Sequence, residues 1–216
     1  MKTSNHAPPN HAEVRQRGRP RSFDMQGAID AALDRFWRQG YGATATRDLE
    51  SALGISQSSI YNAFGSKREL FDAALDLYER RAASALLSPL ERTPDGLAAI
   101  DGFLNALCAW LTRTPGCGCL LTNAMLEASD DVQRRAIEVR ASRYRDRVRS
   151  ALRECLVRAA ADGQIAQATV ESRTDLLMAI VLGLNVAART AESDGELARM
   201  VGAGRAEVAR WRNVRT

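Results

Sequence analysis

Histidine and proline are scarce in this chain, long apolar runs are missing and cysteines are few. The only histidines, His6 and His11, lie at the very start. No imidazole is therefore at hand along the body of the chain for acid–base work, and no glycine-rich nucleotide loop appears. A thiol-based helical enzyme is one competing reading, and this lack disfavours it. After residue 21 proline occurs only at Pro89, Pro94 and Pro115, so little interrupts helix formation. The start shows no apolar stretch of the secretory kind, and nowhere is there a run of about eighteen apolar residues to span a bilayer. The expectation is a cytoplasmic protein with no membrane partner. Four cysteines, Cys108, Cys117, Cys119 and Cys155, are too few for a disulfide framework and are read as thiols.

With 216 residues, 45% of them hydrophobic, the chain can bury one substantial core and carry a small second domain. Thirty Lys and Arg against 26 Asp and Glu give +4, which permits a polyanionic partner. Most of that excess sits at the N-terminus, where Lys2, Arg15, Arg17, Arg19 and Arg21 face only Glu13 and Asp24. This segment has almost nothing apolar to bury and reads as a flexible basic arm. Beyond it Ala, Leu, Arg and Glu dominate and strand-like alternation is missing. The pattern predicts an all-α fold of about nine helices, near 24–39, 46–53, 57–64, 67–87, 95–112, 119–128, 130–162, 169–192 and 196–211. No internal repeat is visible.

The first predicted helix carries Ile29, Leu33, Phe36 and Trp37 on one face. Two short helices follow. Thr46 is expected to cap the first, with Leu49 and Leu53 as its buried side and Gly54 as a left-handed stop. Ser56 then caps a second, with Ile60 and Phe64 inward and Gln57, Ser58, Ser59, Tyr61 and Asn62 outward. Two short helices joined through Gly-Ile-Ser form a helix-turn-helix. An ordinary helical hairpin is the plain alternative. The outward face, however, bears small hydroxyls and amides in place of the Glu and Lys of a solvated helix, and such groups read base edges. Ser66-Lys67-Arg68-Glu69 next forms a capping box. It sets Lys67 beside free N–H groups at a positive helix end, a phosphate-binding combination.

The stretch from Gly40 to Leu49, then Leu53-Gly54-Ile55-Ser56, Ile60-Tyr61-Asn62-Ala63-Phe64 and Ser66-Lys67-Arg68-Glu69-Leu70, resembles the DNA-binding domain of TetR-family regulators. The resemblance covers roughly residues 19 to 75 and implies that the third helix enters the major groove. Base contacts would come from Gln57, Ser58, Ser59 and Asn62, and phosphate contacts from Thr46, Tyr61 and Lys67. Arg17, Arg19 and Arg21 fall where some members extend an arm towards the minor groove. The family commonly has Tyr-x-His-Phe where this chain has Tyr61-Asn62-Ala63-Phe64, so the backbone contact of that His is missing. Ser58 stands where Gly or Pro is frequent.

In the second half, Leu176, Leu177, Ile180, Val181 and Leu184 form an apolar stripe near Gly183, and Leu197, Met200, Val201, Val208 and Trp211 follow. Part of each stripe is core. The family resemblance implies a homodimer through the last two helices, as two operator half-sites require. Thr114-Pro115-Gly116-Cys117-Gly118-Cys119-Leu120-Leu121 resembles the Gly-Cys-Leu-Leu segment of an electrophile-sensing branch of the family, with Cys119 at the reactive position. A thiol at a helix N-terminus is expected to have a depressed pKa; the plain alternative is that Cys117 and Cys119 fill space. A metal site is disfavoured because Cys-x-Cys lacks the usual wider spacing and four ligands, and no cofactor is expected. Candidate walls of an effector pocket are Phe103, Leu107, Trp110, Leu121 and Met125, with Asn123 as polar anchor.

The expected organisation is a flexible basic arm over 1–22 and a helix-turn-helix DNA-binding domain over 23–70, whose fourth helix continues as a connector to about 88. A regulatory and dimerisation domain over 89–216 completes it. The expected function is a repressor, not an enzyme, released from double-stranded operator DNA by an unknown small-molecule effector or by cysteine modification. A non-DNA adaptor dimer is the remaining competitor.

Overall fold

The computed structural model describes residues 24–128, 131–190 and 193–212, and all regular structure among them is helical. The expected arm, with Arg17, Arg19 and Arg21, lies outside the described residues. Helix α1 (Met25–Gln39) starts where the Asp24 carboxylate accepts the Gly27 N–H at 3.0 Å. It stops at Gly40, whose positive φ of 79° only glycine adopts freely. Helices α2 (Thr46–Leu53) and α3 (Gln57–Phe64) are joined through Gly54, left-handed at φ 67°, with its N–H returned to the Glu50 carbonyl at 2.9 Å.

The cap of α2 differs from expectation. Its N-cap is Ala45, and the Asp48 carboxylate reaches back to the Ala45 N–H at 2.8 Å. An acid in the first turn thus does the capping from inside the helix, and the Thr46 hydroxyl is freed for another partner. Ser56 caps α3 as expected, accepting the Ser59 N–H at 3.3 Å.

Helix α4 (Lys67–Ala82) does not end before Pro89 but runs through a π turn (Ala83–Leu87) into α5 (Ser88–Arg92). Pro89 sits in the first turn of α5, a place where a missing N–H costs little. The remaining helices are α6 (Gly96–Thr112), α7 (Leu120–Glu127), α8 (Asp131–Ala161), α9 (Val170–Thr190) and α10 (Asp194–Arg210).

One apolar core runs through both halves. Phe36, Leu49, Ile60, Leu70 and Phe71 seal α1–α4, and Ile100, Phe103, Leu104 and Leu107 on α6 continue the same cluster. At the join, Trp37 of α1 meets Tyr78 of α4 edge-on, with centroids 5.0 Å apart, and Trp110 of α6 at 5.6 Å. Burying such rings contributes roughly 1.5–3 kcal/mol each. The apolar stripes of the last two helices divide: Leu177, Val181 and Leu184 are core, as are Leu197, Val201, Val208 and Trp211. Leu176, Leu182, Val186 and Met200 remain exposed, Val186 at 59%.

Candidate functional site

Helix α3 keeps Ile60 fully buried and turns Gln57, Ser58, Ser59, Tyr61 and Asn62 outward, all exposed. Without a partner these groups bond to one another. The Ser56 hydroxyl lies 2.9 Å from that of Ser58 and 3.0 Å from that of Ser59, and the Gln57 amide donates to the Tyr61 hydroxyl at 3.3 Å. Ser59 and Asn62, three residues apart, also edge an open groove against the start of α1. The Glu50 carboxylate accepts the Gln57 N–H at 2.6 Å, fixing α3 against α2.

Beside this face lies a cluster suited to an anion. Hydrogen bonds from Thr46 and Gln57 hold the Tyr61 phenol below its ordinary pKa. Lys67 is half-buried; its Nζ donates to the Tyr41 carbonyl at 2.7 Å and stands 4.3 Å from the Tyr41 ring centroid. Partial burial lowers its pKa, opposed by the nearby Tyr61 and Asp48. An oxyanion entering here would meet two hydroxyls and an ammonium already aimed by the fold. Composition gave no hint of Tyr41 or Glu50; the glycines on either side of Tyr41 mark an ordered turn and were the available signal.

A second site lies at the start of α7. A cavity of about 430 Å³ is lined by Cys119, Leu121 and Met125 from this region, by Tyr144 and Val148 from α8, and by Met178 from α9. Glu138, Ser142, Arg145 and Asn185 bring polar groups to its wall. Cys119 is the N-cap of α7 and is buried; its thiol lies close to the Tyr78 hydroxyl. Burial pushes the phenols of Tyr78 and Tyr144 up, so both stay protonated, and the buried Tyr144 hydroxyl has no hydrogen-bond partner.

Two family descriptions match the chain: bacterial regulatory proteins of the tetR family over residues 28–74, and the tetracyclin repressor-like C-terminal domain over residues 96–203. The HTH-type transcriptional repressor ComR of Escherichia coli (strain K12) is 31% identical over 192 residues, spanning 87% of this chain and 90% of that protein. The chain belongs to the TetR family. A second repressor of the same organism, BdcR, is 31% identical over 182 residues, covering 83% of this chain and 86% of its own. Among solved structures, a cysteine-substituted form of the TetR-family regulator CifR, complexed with 26-bp double-strand operator DNA, superposes with a TM-score of 0.76 at 28% identity. It covers 90% of this chain and 100% of that one. This TetR-family chain is a DNA-binding transcriptional regulator and not an enzyme, of a family that acts as homodimers. No described helix is long and apolar enough to cross a membrane.

Several expected pocket residues of this TetR-family chain lie elsewhere. Phe103, Leu107 and Trp110 pack in the core behind the cavity, because α6 is packed against α5, α8 and α10. Asn123 is buried, does not line the cavity, and donates its amide to the Cys117 carbonyl, which ties down the preceding loop. The Cys117 thiol, buried and 3.6 Å from the Pro115 carbonyl, is pushed up by burial, with Arg38 opposing. Tyr144 was missed, although Ile137, Ala141, Tyr144 and Val148 form an inward row at helical spacing within an otherwise arginine-rich stretch.

Proposed function

We propose that this chain works in the cytoplasm as a homodimeric repressor whose α3 reads an operator and whose cavity at Cys119 controls release. The observation that carries the reading is the exposed amide and hydroxyl face of α3 set beside the Thr46, Tyr61 and Lys67 cluster. Gln57, Ser58, Ser59 and Asn62 contact base edges, and Thr46, Tyr61 and Lys67 hold phosphates. Tyr41 positions Lys67. The unit up to about residue 70 binds DNA, the connector runs to about 88, and the remainder regulates and dimerises. The exposed Leu176, Leu182, Val186 and Met200 on α9 and α10 supply the self-complementary apolar surface. A Cβ on Gly183 or Gly202 would meet open space, which leaves room for a partner helix to approach closely.

Occupancy or alkylation of Cys119 shifts the relative placement of the two recognition helices away from one turn of DNA, about 34–36 Å. Gel shifts with the DNA flanking the chain's own gene test the first part. Gln57→Ala is expected to relax sequence preference. Lys67→Ala should weaken all sequences alike and lower the salt slope by about one. Operator binding unchanged by both substitutions would refute the assignment.

A further inference from the structure

The loop that carries Cys119 is hydrogen-bonded directly to α1. Trp37, in the last turn of α1, donates its indole N–H to the Gly118 carbonyl at 3.0 Å. Gly118 immediately precedes Cys119 and is left-handed, at φ 57°. A Cβ there would lie 2.6 Å from the Asn185 carbonyl oxygen and 2.9 Å from Cγ of Arg189. The Gly118–Cys119 peptide is therefore wedged between α1 on one side and α9 on the other, with no slack towards α9. Displacement of this peptide has to be taken up on the α1 side.

The side chain of Cys119 is tied as well. Its sulfur lies close to the Tyr78 hydroxyl of α4, and the Tyr78 ring packs edge-on against Trp37. Trp110 closes the group, 5.6 Å from each of the other two rings. Trp37 thus touches the cysteine loop twice, once through its N–H and once through Tyr78. The far end of α7 meets the same end of α1. A Cβ on Gly40, the C-cap of α1, would collide with the Glu127 carboxylate, which itself pairs with Arg189 of α9 at 3.7 Å. Both ends of α7 therefore bear on the C-terminal end of α1.

We propose that Trp37 is the positioning residue through which the DNA-binding helices sense Cys119, by way of its hydrogen bond to Gly118 and its packing on Tyr78. This rests on the reading that Cys119 controls operator release. A group added to the buried sulfur displaces the Tyr78 hydroxyl and tilts the 118–119 peptide, which breaks the indole bond and frees the end of α1. A plain core tryptophan would contribute packing alone and would be indifferent to the state of the thiol.

The test uses iodoacetamide, which forms a sulfur–carbon bond at Cys119 with loss of iodide and transfer of the thiol proton to solvent. Labelling is mapped by mass spectrometry, and Cys119→Ser, treated identically, subtracts effects of the other thiols. Operator affinity is measured before and after labelling in the full-length wild type and in Trp37→Phe, which keeps a ring against Tyr78 and deletes the N–H donor. In the wild type, alkylation should weaken binding by about tenfold or more, within the usual range of allosteric coupling. In Trp37→Phe the same ratio should shrink by at least about fivefold, a non-additivity that loss of packing alone does not produce.

An equal ratio in both proteins would overturn the role of Trp37 and leave the Cys119 reading standing. No change in the wild type on full labelling would overturn both. Hydrogen exchange on the wild type adds an arm independent of how the variant folds. Alkylation should raise exchange over residues 35–40 and leave α3 unchanged, and an unaltered end of α1 counts against the proposal.

Discussion

Two helix starts in this molecule look alike in sequence and end in opposite surroundings. Helix α3 begins after Gly54 at Ser56, and α7 begins after Gly118 at Cys119; each offers a small polarisable side chain at the positive end of a short helix. The Ser56 hydroxyl caps its helix and shares a solvent-facing network with Ser58 and Ser59. The Cys119 thiol makes no cap, is buried, and lies against two phenols and a cavity. A local signal therefore fixes where each helix starts, whereas the chemistry of the start is set by what the rest of the chain packs around it.

Substitutions sharpen this contrast. The largest effect is expected from Ile60→Ala on the inner side of α3, about 2–5 kcal/mol in urea unfolding for a fully buried aliphatic side chain. Comparing the two glycines comes next. Gly118→Ala meets both the left-handed backbone and the Asn185 carbonyl, and should cost about 2–3 kcal/mol. Gly54→Ala has a similar φ but open space, and should cost only about 1–2 kcal/mol. Equal losses at the two positions would mean that the loop before α7 is not wedged.

Removing the caps gives a smaller response. Ser56→Ala should cost about 1 kcal/mol and Cys119→Ser close to nothing in stability, since only the first group caps its helix. A third start provides a pH-dependent reference. The Asp95 carboxylate caps α6 by accepting the Ala98 N–H at 2.9 Å and is held below the usual carboxylate range, first by that bond and further by Arg212. Its protonated form is more favoured in the unfolded chain, so its contribution is present above about pH 4 and fades as pH falls through the lower folded value. Acid-unfolding curves of wild type and Asp95→Ala should accordingly converge at the acid end. The smallest effect on stability is expected from Gln57→Ala, whose consequence is read in operator preference, about 1–3 kcal/mol at the contacted base pair.

The bounds of the first three helices were legible nearly to the residue, because glycine stops and serine caps act within one turn. The cap of α2 shows the limit of that rule. Thr46 was assigned the role by its type, yet Asp48 performs it from within the helix and leaves the Thr46 hydroxyl to Tyr61. The lining of the cavity was legible at Cys119, Leu121 and Met125, which adjoin an unusual loop. It was illegible at Phe103, Leu107 and Trp110, since apolar residues at helical spacing look the same facing a core or a cavity. Tyr144 comes from a helix distant in sequence, and only the tertiary packing brings it to the sulfur.

The π turn at Ala83–Leu87 carries a consequence for the rod that joins the two halves. Ala82, Leu86 and Leu90 all face inward and recur every fourth residue, a repeat at which an ordinary helix would drift in azimuth by about 40° per step. The widened turn absorbs that drift and stores one surplus residue. Shortening the segment by one residue should yield an uninterrupted rod with the same inward edge, while lengthening it by one would swing Leu90 by about 100° towards water.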